Sequence, residues 1–281
     1  MPKRSEPPSG RSASSNQLLA NAVTALRLQN PQEAERLASE VFNSDRNDIA
    51  AAGILGRALL IQNRAADALI PLQQAAQRAA DPEIETLLGL ALSATGCGEE
   101  ALDQLRKAAS RRPVYPPAFL EQAGLFARRG RFDEAVAVLE GGLALVPGSI
   151  EMRMELGFVH FKRNDRKKAR AMMLQALQAA PGRPDILAAL ARMMAMDGEY
   201  ADAAVHFRHA LAQWPGDAVS RSNLGVCLLE MGQREEGEAS LRAAVRSVPQ
   251  AAGMAIMALA SASHGRFFLT LGEALKFLEL V

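Results

Sequence analysis

Residues 82–115 read PEIETLLGLALSATGCGEEALDQLRKAASRRPVY, and residues 116–149 follow with PPAFLEQAGLFARRGRFDEAVAVLEGGLALVPGS. Laid over each other, the two stretches match in kind. A small residue stands at position 8 (Gly89, Ala123), another at position 20 (Ala101, Ala135), and a leucine at position 24 (Leu105, Leu139). Working outward, alanines at 34, 68, 101, 135, 169 and 203, with Gly237 beyond, fall 33 or 34 residues apart. Numbered from the first helical position, seven units start at Ser15, Ile49, Pro82, Pro116, Ile150, Pro184 and Ala218. Self-similarity at this interval marks stacked helix–turn–helix units, each too small to bury its apolar face alone.

The in-phase positions describe packing. Position 8 reads Ala22, Gly56, Gly89, Ala123, Gly157, Ala191, Gly225, and position 27 reads Val41, Ala75, Ala108, Gly142, Ala176, Ala210, Ala244. Small side chains there let two helices approach to the short end of usual interaxial distances. Larger residues fill the space between, at position 7 (Leu55, Leu88, Leu156, Leu190, Leu224) and at position 24 (Leu72, Leu105, Leu139, Met173, Phe207, Leu241). Gly96, Gly130, Gly198, Gly232, Asn63 and Asn164 mark the turn inside each hairpin, where positive φ is useful. Pro113, Pro147, Pro181, Pro215 and Pro249 end the second helices. Of the residues preceding the first helices, Ser14, Asp48, Asp81, Ser149 and Asp217 are good N-caps, whereas Tyr115 and Arg183 are not.

This pattern resembles the tetratricopeptide repeat family over residues 15–251. The resemblance implies an all-α fold, a right-handed α-solenoid of antiparallel helix pairs. The units are expected at 15–48, 49–81, 82–115, 116–149, 150–183, 184–217 and 218–251. The second is one residue short, and Asn21 and Gln122 replace apolar residues at position 7. Residues 1–14, rich in Pro and Ser, are expected to be disordered. Residues 252–281 are expected to form capping helices: one over 251–263, a break at Gly265, then an amphipathic helix with Leu271, Leu275 and Leu278 on one face. Phe267, Phe268, Phe277 and Val281 make a docking or self-association surface the second option for that segment.

Composition narrows the function. Charged residues are 22% of the chain and net charge is +1, so no overall basic field recruits nucleic acid. Cys97 and Cys227 are too few for a disulfide framework or a metal cluster. Ala251 to Ser263, the longest weakly polar stretch, falls short of the roughly 20 residues a membrane span needs. A soluble, cytoplasmic chain is expected. His206 and His209 lie three apart without a third ligand in phase, and no nucleophile elbow or phosphate-binding glycine loop occurs. No catalysis, cofactor or metal is expected. The cations Arg128, Arg129, Arg131, Lys162, Arg163, Arg166, Lys167, Lys168 and Arg170 read as a solvated edge, with an acidic protein segment as the next reading and nucleic acid after it.

In the resembled family the first helices line a concave face through positions 2, 5, 6, 9, 12 and 13. Carried onto this chain, they give Arg57, Glu83, Glu121, Arg128, Glu151, Met154, Glu155, Phe158, Phe161, Lys162, Arg192, Ser222 and Asn223. An apolar strip of Met154, Phe158 and Phe161 bordered by charges suits a peptide segment of a partner protein. Met193, Met194 and Met196 add adaptable side chains, Met194 being expected in the core. The family's chaperone-tail clamp, Lys at position 5 with Asn at position 9, is absent. Its asparagine ladder at position 6 is reduced to Asn223. The leading expectation is therefore a protein-binding scaffold or adaptor. The alternative is an accessory or targeting arm of an enzyme system, such as a bacterial glycosyl- or sulfotransferase.

Overall fold

The computed structural model describes residues 13–280, and among them there is no β-strand. Helix α1 (Ala13–Arg27) packs on α2 (Pro31–Ser44), and four further hairpins follow: α3 (Ile49–Ile61) with α4 (Ala65–Arg78), α5 (Pro82–Ala94) with α6 (Gly98–Ser110), α7 (Pro116–Arg128) with α8 (Phe132–Leu145), and α9 (Ile150–Lys162) with α10 (Arg166–Ala179). Then come α11 (Pro184–Met196) with α12 (Tyr200–Gln213) and α13 (Ala218–Glu230) with α14 (Arg234–Ser247). A 3-10 turn (Pro249–Ala251), α15 (Ala252–Ser261) and α16 (Leu271–Phe277) complete the chain. Seven hairpins of nearly equal length make this an α-solenoid. By its internal contacts the chain divides into two compact units, one ending at Met152 and the other beginning at Arg153.

The local chemistry explains the boundaries. Asp48, Asp81 and Asp217 each accept hydrogen bonds from backbone N–H groups of the following first turn, and Ser149 Oγ accepts from Met152 N at 3.3 Å. These contacts satisfy donors that a helix start leaves orphaned. Tyr115 and Arg183 make no such contact. Ser14 is not a cap, because α1 begins one residue before it. The expected disorder of residues 1–14 falls outside the described residues except at Ala13 and Ser14, which are helical. Asn63, Asn164, Gly96, Gly130, Gly198 and Gly232 all have positive φ at the hairpin turns, and Gln29 does so in the first hairpin, at the position the other units fill with Gly or Asn. Pro71 lies inside α4. Its missing N–H removes one bond from that helix.

The core follows the repeat. The position-20 alanines are all buried, and position 8 meets position 24 of its own hairpin: a Cβ added to Gly56 would lie 2.6 Å from Leu72, and one on Gly89 2.7 Å from Leu105. In the second unit Ala169, Met173, Leu190, Ala203, Phe207, Leu224 and Leu228 form one continuous cluster, with Met194 among them as expected. At its far end Leu229, Leu241 and Val245 are covered by Ala255, Leu259 and Leu278.

The last helix differs from its expected face. Leu278 is fully buried and Leu275 half-buried, yet Leu271 is 66% exposed. The helix is only seven residues long and starts at Leu271 itself. Its capping box on Thr270 turns the first residue to solvent, while Ala274 and Leu278, one turn apart, face the core. Val281 lies outside the described residues.

Candidate functional site

In the second unit the first helices α9 and α11 build a recess of about 390 Å³ lined by Glu155, Phe158, Phe161, Lys162, Arg192, Met193 and Met196. On α9, residues 155, 158 and 162 recur at helical spacing and so share one face, with Phe161 beside them. On α11, Arg192 and Met196 are likewise one turn apart. Phe158 and Phe161 are half-buried, Met193 is buried and Met196 is 61% exposed, so the floor is apolar and partly open to solvent. Arg192 lies over the Phe158 ring at 5.8 Å, and Arg166, reaching from α10, lies over Phe161 at 4.0 Å. The rim carries two cations and one carboxylate.

The structure brings together five of the residues expected on the strip: Glu155, Phe158, Phe161, Lys162 and Arg192. Met154 is elsewhere, packed against the core cluster with its sulfur 3.9 Å from the Arg183 guanidinium. Asn223 and Ser222, on α13, are half-buried and do not line the recess. Glu121 and Arg128, on α7, and Glu151, at the start of α9, belong to the first unit; Glu121 is half-buried and the other two are exposed. Met193 and Met196, which the sequence offers as adaptable side chains beside the strip, also line the recess.

Arg57 opens a second recess, of about 410 Å³, in the first unit, with Val23, Leu26, Arg27, Ile54, Ile61 and Glu83. Arg57 and Glu83 form an ion pair at 2.5 Å. Positions 9, 12 and 13 of the first repeat and 9 and 13 of the second supply most of this lining; Arg57 and Glu83 are among the expected residues, whereas Val23, Leu26, Ile54 and Ile61 are hidden in the sequence by their aliphatic character.

The basic edge is largely neutralised by carboxylates of the chain itself. Arg129 pairs with Glu99 at 2.6 Å, Arg131 with Glu134, Arg166 with Asp197 at 3.3 Å, Lys168 with Asp165 at 3.7 Å and Arg170 with Glu199 at 2.7 Å. Arg64 with Glu35 and Arg208 with Glu236 repeat the pairing between neighbouring hairpins. This edge is therefore built for repeat-to-repeat contacts, which weakens its reading as a phosphate-binding face.

His206 and His209 share α12. Burial and the neighbouring His209 push the His206 imidazole below its ordinary range. No group of three metal-ligating side chains occurs among the described residues. Burial pushes the Cys227 thiol up to about 11, so it stays protonated at neutral pH, and Cys97 is a free, exposed thiol. No helix among the described residues is long and apolar enough to cross a membrane.

A stack of helical hairpins with small residues at the crossings and a partly apolar recess between first helices defines a repeat protein of the α-solenoid class. Tetratricopeptide repeat family models match residues 19–83 and 86–150, and again 126–193 and 194–260. The chain belongs to the tetratricopeptide repeat family. Such arrays are protein–protein interaction scaffolds. No curated protein matches the chain. Among solved structures it is similar to a tetratricopeptide repeat protein from Parabacteroides merdae, with 15% identity over 95% of this chain and 100% of that one and a TM-score of 0.62. It is also similar to pilF of Pseudomonas aeruginosa, at 18% identity over 72% and 92% of the two chains and a TM-score of 0.58. A third similar structure is the APC/C hetero-tetramer Cut9–Hcn1, at 17% identity and a TM-score of 0.58, where the match covers 95% of this chain and 55% of that one. At these identities the likeness is one of fold.

Proposed function

We propose that this chain is a non-catalytic adaptor that seats a peptide segment of a partner protein on its first-helix face, with the recess of Phe158, Phe161, Met193 and Met196 as the anchoring point. The observation that carries this reading is an open apolar floor rimmed by Glu155, Lys162 and Arg192. Desolvating an apolar anchor supplies the affinity, and rim charges select what lies beside it. Exposed Met196 lets the floor adjust to side chains of different shape. In the first unit, the recess around Arg57 and Glu83 offers a more aliphatic seat of similar size.

The test is recovery of bound proteins by the full chain and by Phe158→Ala, Arg192→Ala and Met196→Ala, all at partly exposed positions. Loss of the same partner with all three supports the recess. Recovery unchanged by every variant counts against it.

A further inference from the structure

A cleft of about 570 Å³ is polar and lies away from the first-helix recesses. It runs between the second helices α4 and α6, with α5 beneath, and its floor is the buried pair Leu88 and Leu92. Helix α4 presents Gln73 and Gln77 one turn apart. Helix α6 presents Glu100, Gln104 and Lys107 at the same spacing, so two polar stripes face each other across the floor. α4 and α6 are second members of consecutive hairpins and run in the same direction.

The charges are ordered along the cleft. Glu100 stands at one end, the three carboxamides in the middle, and Lys107 and Arg111 at the other. Arg111 donates to both oxygens of Glu85, at 2.6 and 3.0 Å, which satisfies that buried carboxylate and leaves the far end cationic through Lys107. None of the hydrogen bonds among the described residues engages the side-chain amides of Gln73, Gln77 or Gln104.

A carboxamide offers one acceptor and two donors, and a peptide unit needs one of each. From Glu100 to Arg111 the helix rises about 16 Å, the span of about five extended residues. No aromatic ring lines the cleft, so it lacks the stacking platform a base or a sugar ring would use. With Glu85 neutralised by Arg111, Lys107 at one end and Glu100 at the other set where an anionic group would lie.

We propose that this cleft is a separate recognition site for an extended peptide segment of about five residues, its backbone held by Gln73, Gln77 and Gln104 and an acidic group at one end placed against Lys107. The site is independent of the recess on the first helices.

The test uses a phage-displayed random 12-residue peptide library selected on the full wild-type chain. Each selected peptide is synthesised with a fluorophore, and its affinity is measured on the wild type, on Gln73→Ala/Gln104→Ala, on Lys107→Glu and on Phe158→Ala. Alanine is the better helix former at these solvent-facing positions, so the glutamine variant keeps its fold, as circular dichroism checks. The expected result is a class of acidic peptides that bind at least tenfold more weakly to the glutamine and lysine variants and equally well to Phe158→Ala. The proposal is overturned if no selected peptide responds to the glutamine variant, or if chitohexaose or maltohexaose binds in a glutamine-dependent way and peptides do not.

Discussion

A glycine inside an α-helix costs about 1 kcal/mol relative to alanine, yet Gly56, Gly89, Gly157 and Gly225 sit in the middle of first helices. Each is held there by what faces it. A Cβ on Gly56 or Gly89 would run into a leucine side chain, which can give way. Gly225 is tighter: its Cβ would lie 2.9 Å from Leu241 and 3.0 Å from the carbonyl oxygen of Gly237, and the reciprocal contact places a Cβ on Gly237 3.0 Å from the carbonyl of Gly225. Backbone cannot step aside as a leucine can. Gly225→Ala is therefore expected to destabilise by about 1–3 kcal/mol, overpacking outweighing the propensity gain. Gly141, inside α8, has nothing within 4 Å of its added Cβ, and Gly141→Ala is expected to stabilise by about 1 kcal/mol. Urea midpoints read both, and stabilisation by Gly225→Ala would refute the close approach of α13 and α14. The sequence announces small residues at position 8 in every unit. It does not say which unit has no slack, because that depends on whether the facing atom is side chain or backbone.

A buried carboxylate ties the C-terminal segment to α14, in addition to Glu230, which accepts from Ser263 N and Oγ. Glu238 on α14, its side chain 9% exposed, accepts from Arg234 and from Arg266, both at 3.0 Å, while Arg266 and Arg242 both lie over the Phe277 ring, at 4.6 and 4.9 Å. Burial opposes its charge, but the hydrogen bonds from Arg234 and Arg266 prevail and hold its pKa below the ordinary 4.5. A depressed folded pKa means the stabilisation is complete above the unfolded value and is lost as pH falls through the folded one. Amide protection in 262–280, corrected for intrinsic exchange, is expected to hold above pH 4.5 and to fall on further acidification. In Glu238→Gln it should be lower above pH 4.5 and lose that dependence; an unchanged profile would separate the segment from this carboxylate. Beneath the charges lies apolar packing. Leu278→Ala is expected to cost about 2–5 kcal/mol. Leu271→Ala, at an exposed position, is expected to stay within about 0.5 kcal/mol. Equal costs would restore the face that leucine spacing alone predicts. Spacing could not find the true face, because the helix begins at Leu271 and its first residue follows the cap rather than the stripe.

At the scale of the whole chain, the repeat period makes the fold readable from thirty-odd positions, since each hairpin answers to the same few contacts with its neighbours. The recess was legible only in part. Phe158 and Phe161 are aromatic where their counterparts in other units are not and so stand out, whereas Val23 and Ile54 are ordinary apolar residues whose exposure depends on how neighbouring helices meet. The polar cleft was invisible, because surface glutamines become a site only when two second helices bring them face to face. The same nearest-neighbour logic governs stability, which in stacked repeats is close to a sum of unit and interface contributions. Ala203 on α12 is fully buried within the cluster that joins α10 to α13. Ala203→Leu adds volume where density is already native and is expected to cost about 1–3 kcal/mol. The cost should be local. Hydrogen exchange is expected to quicken in α11, α12 and α13 while protection in α3 to α6 stays within about 0.5 kcal/mol of the wild type. Equal loss of protection along the entire chain would show a single cooperative unit, and the additive description of the array would have to be abandoned.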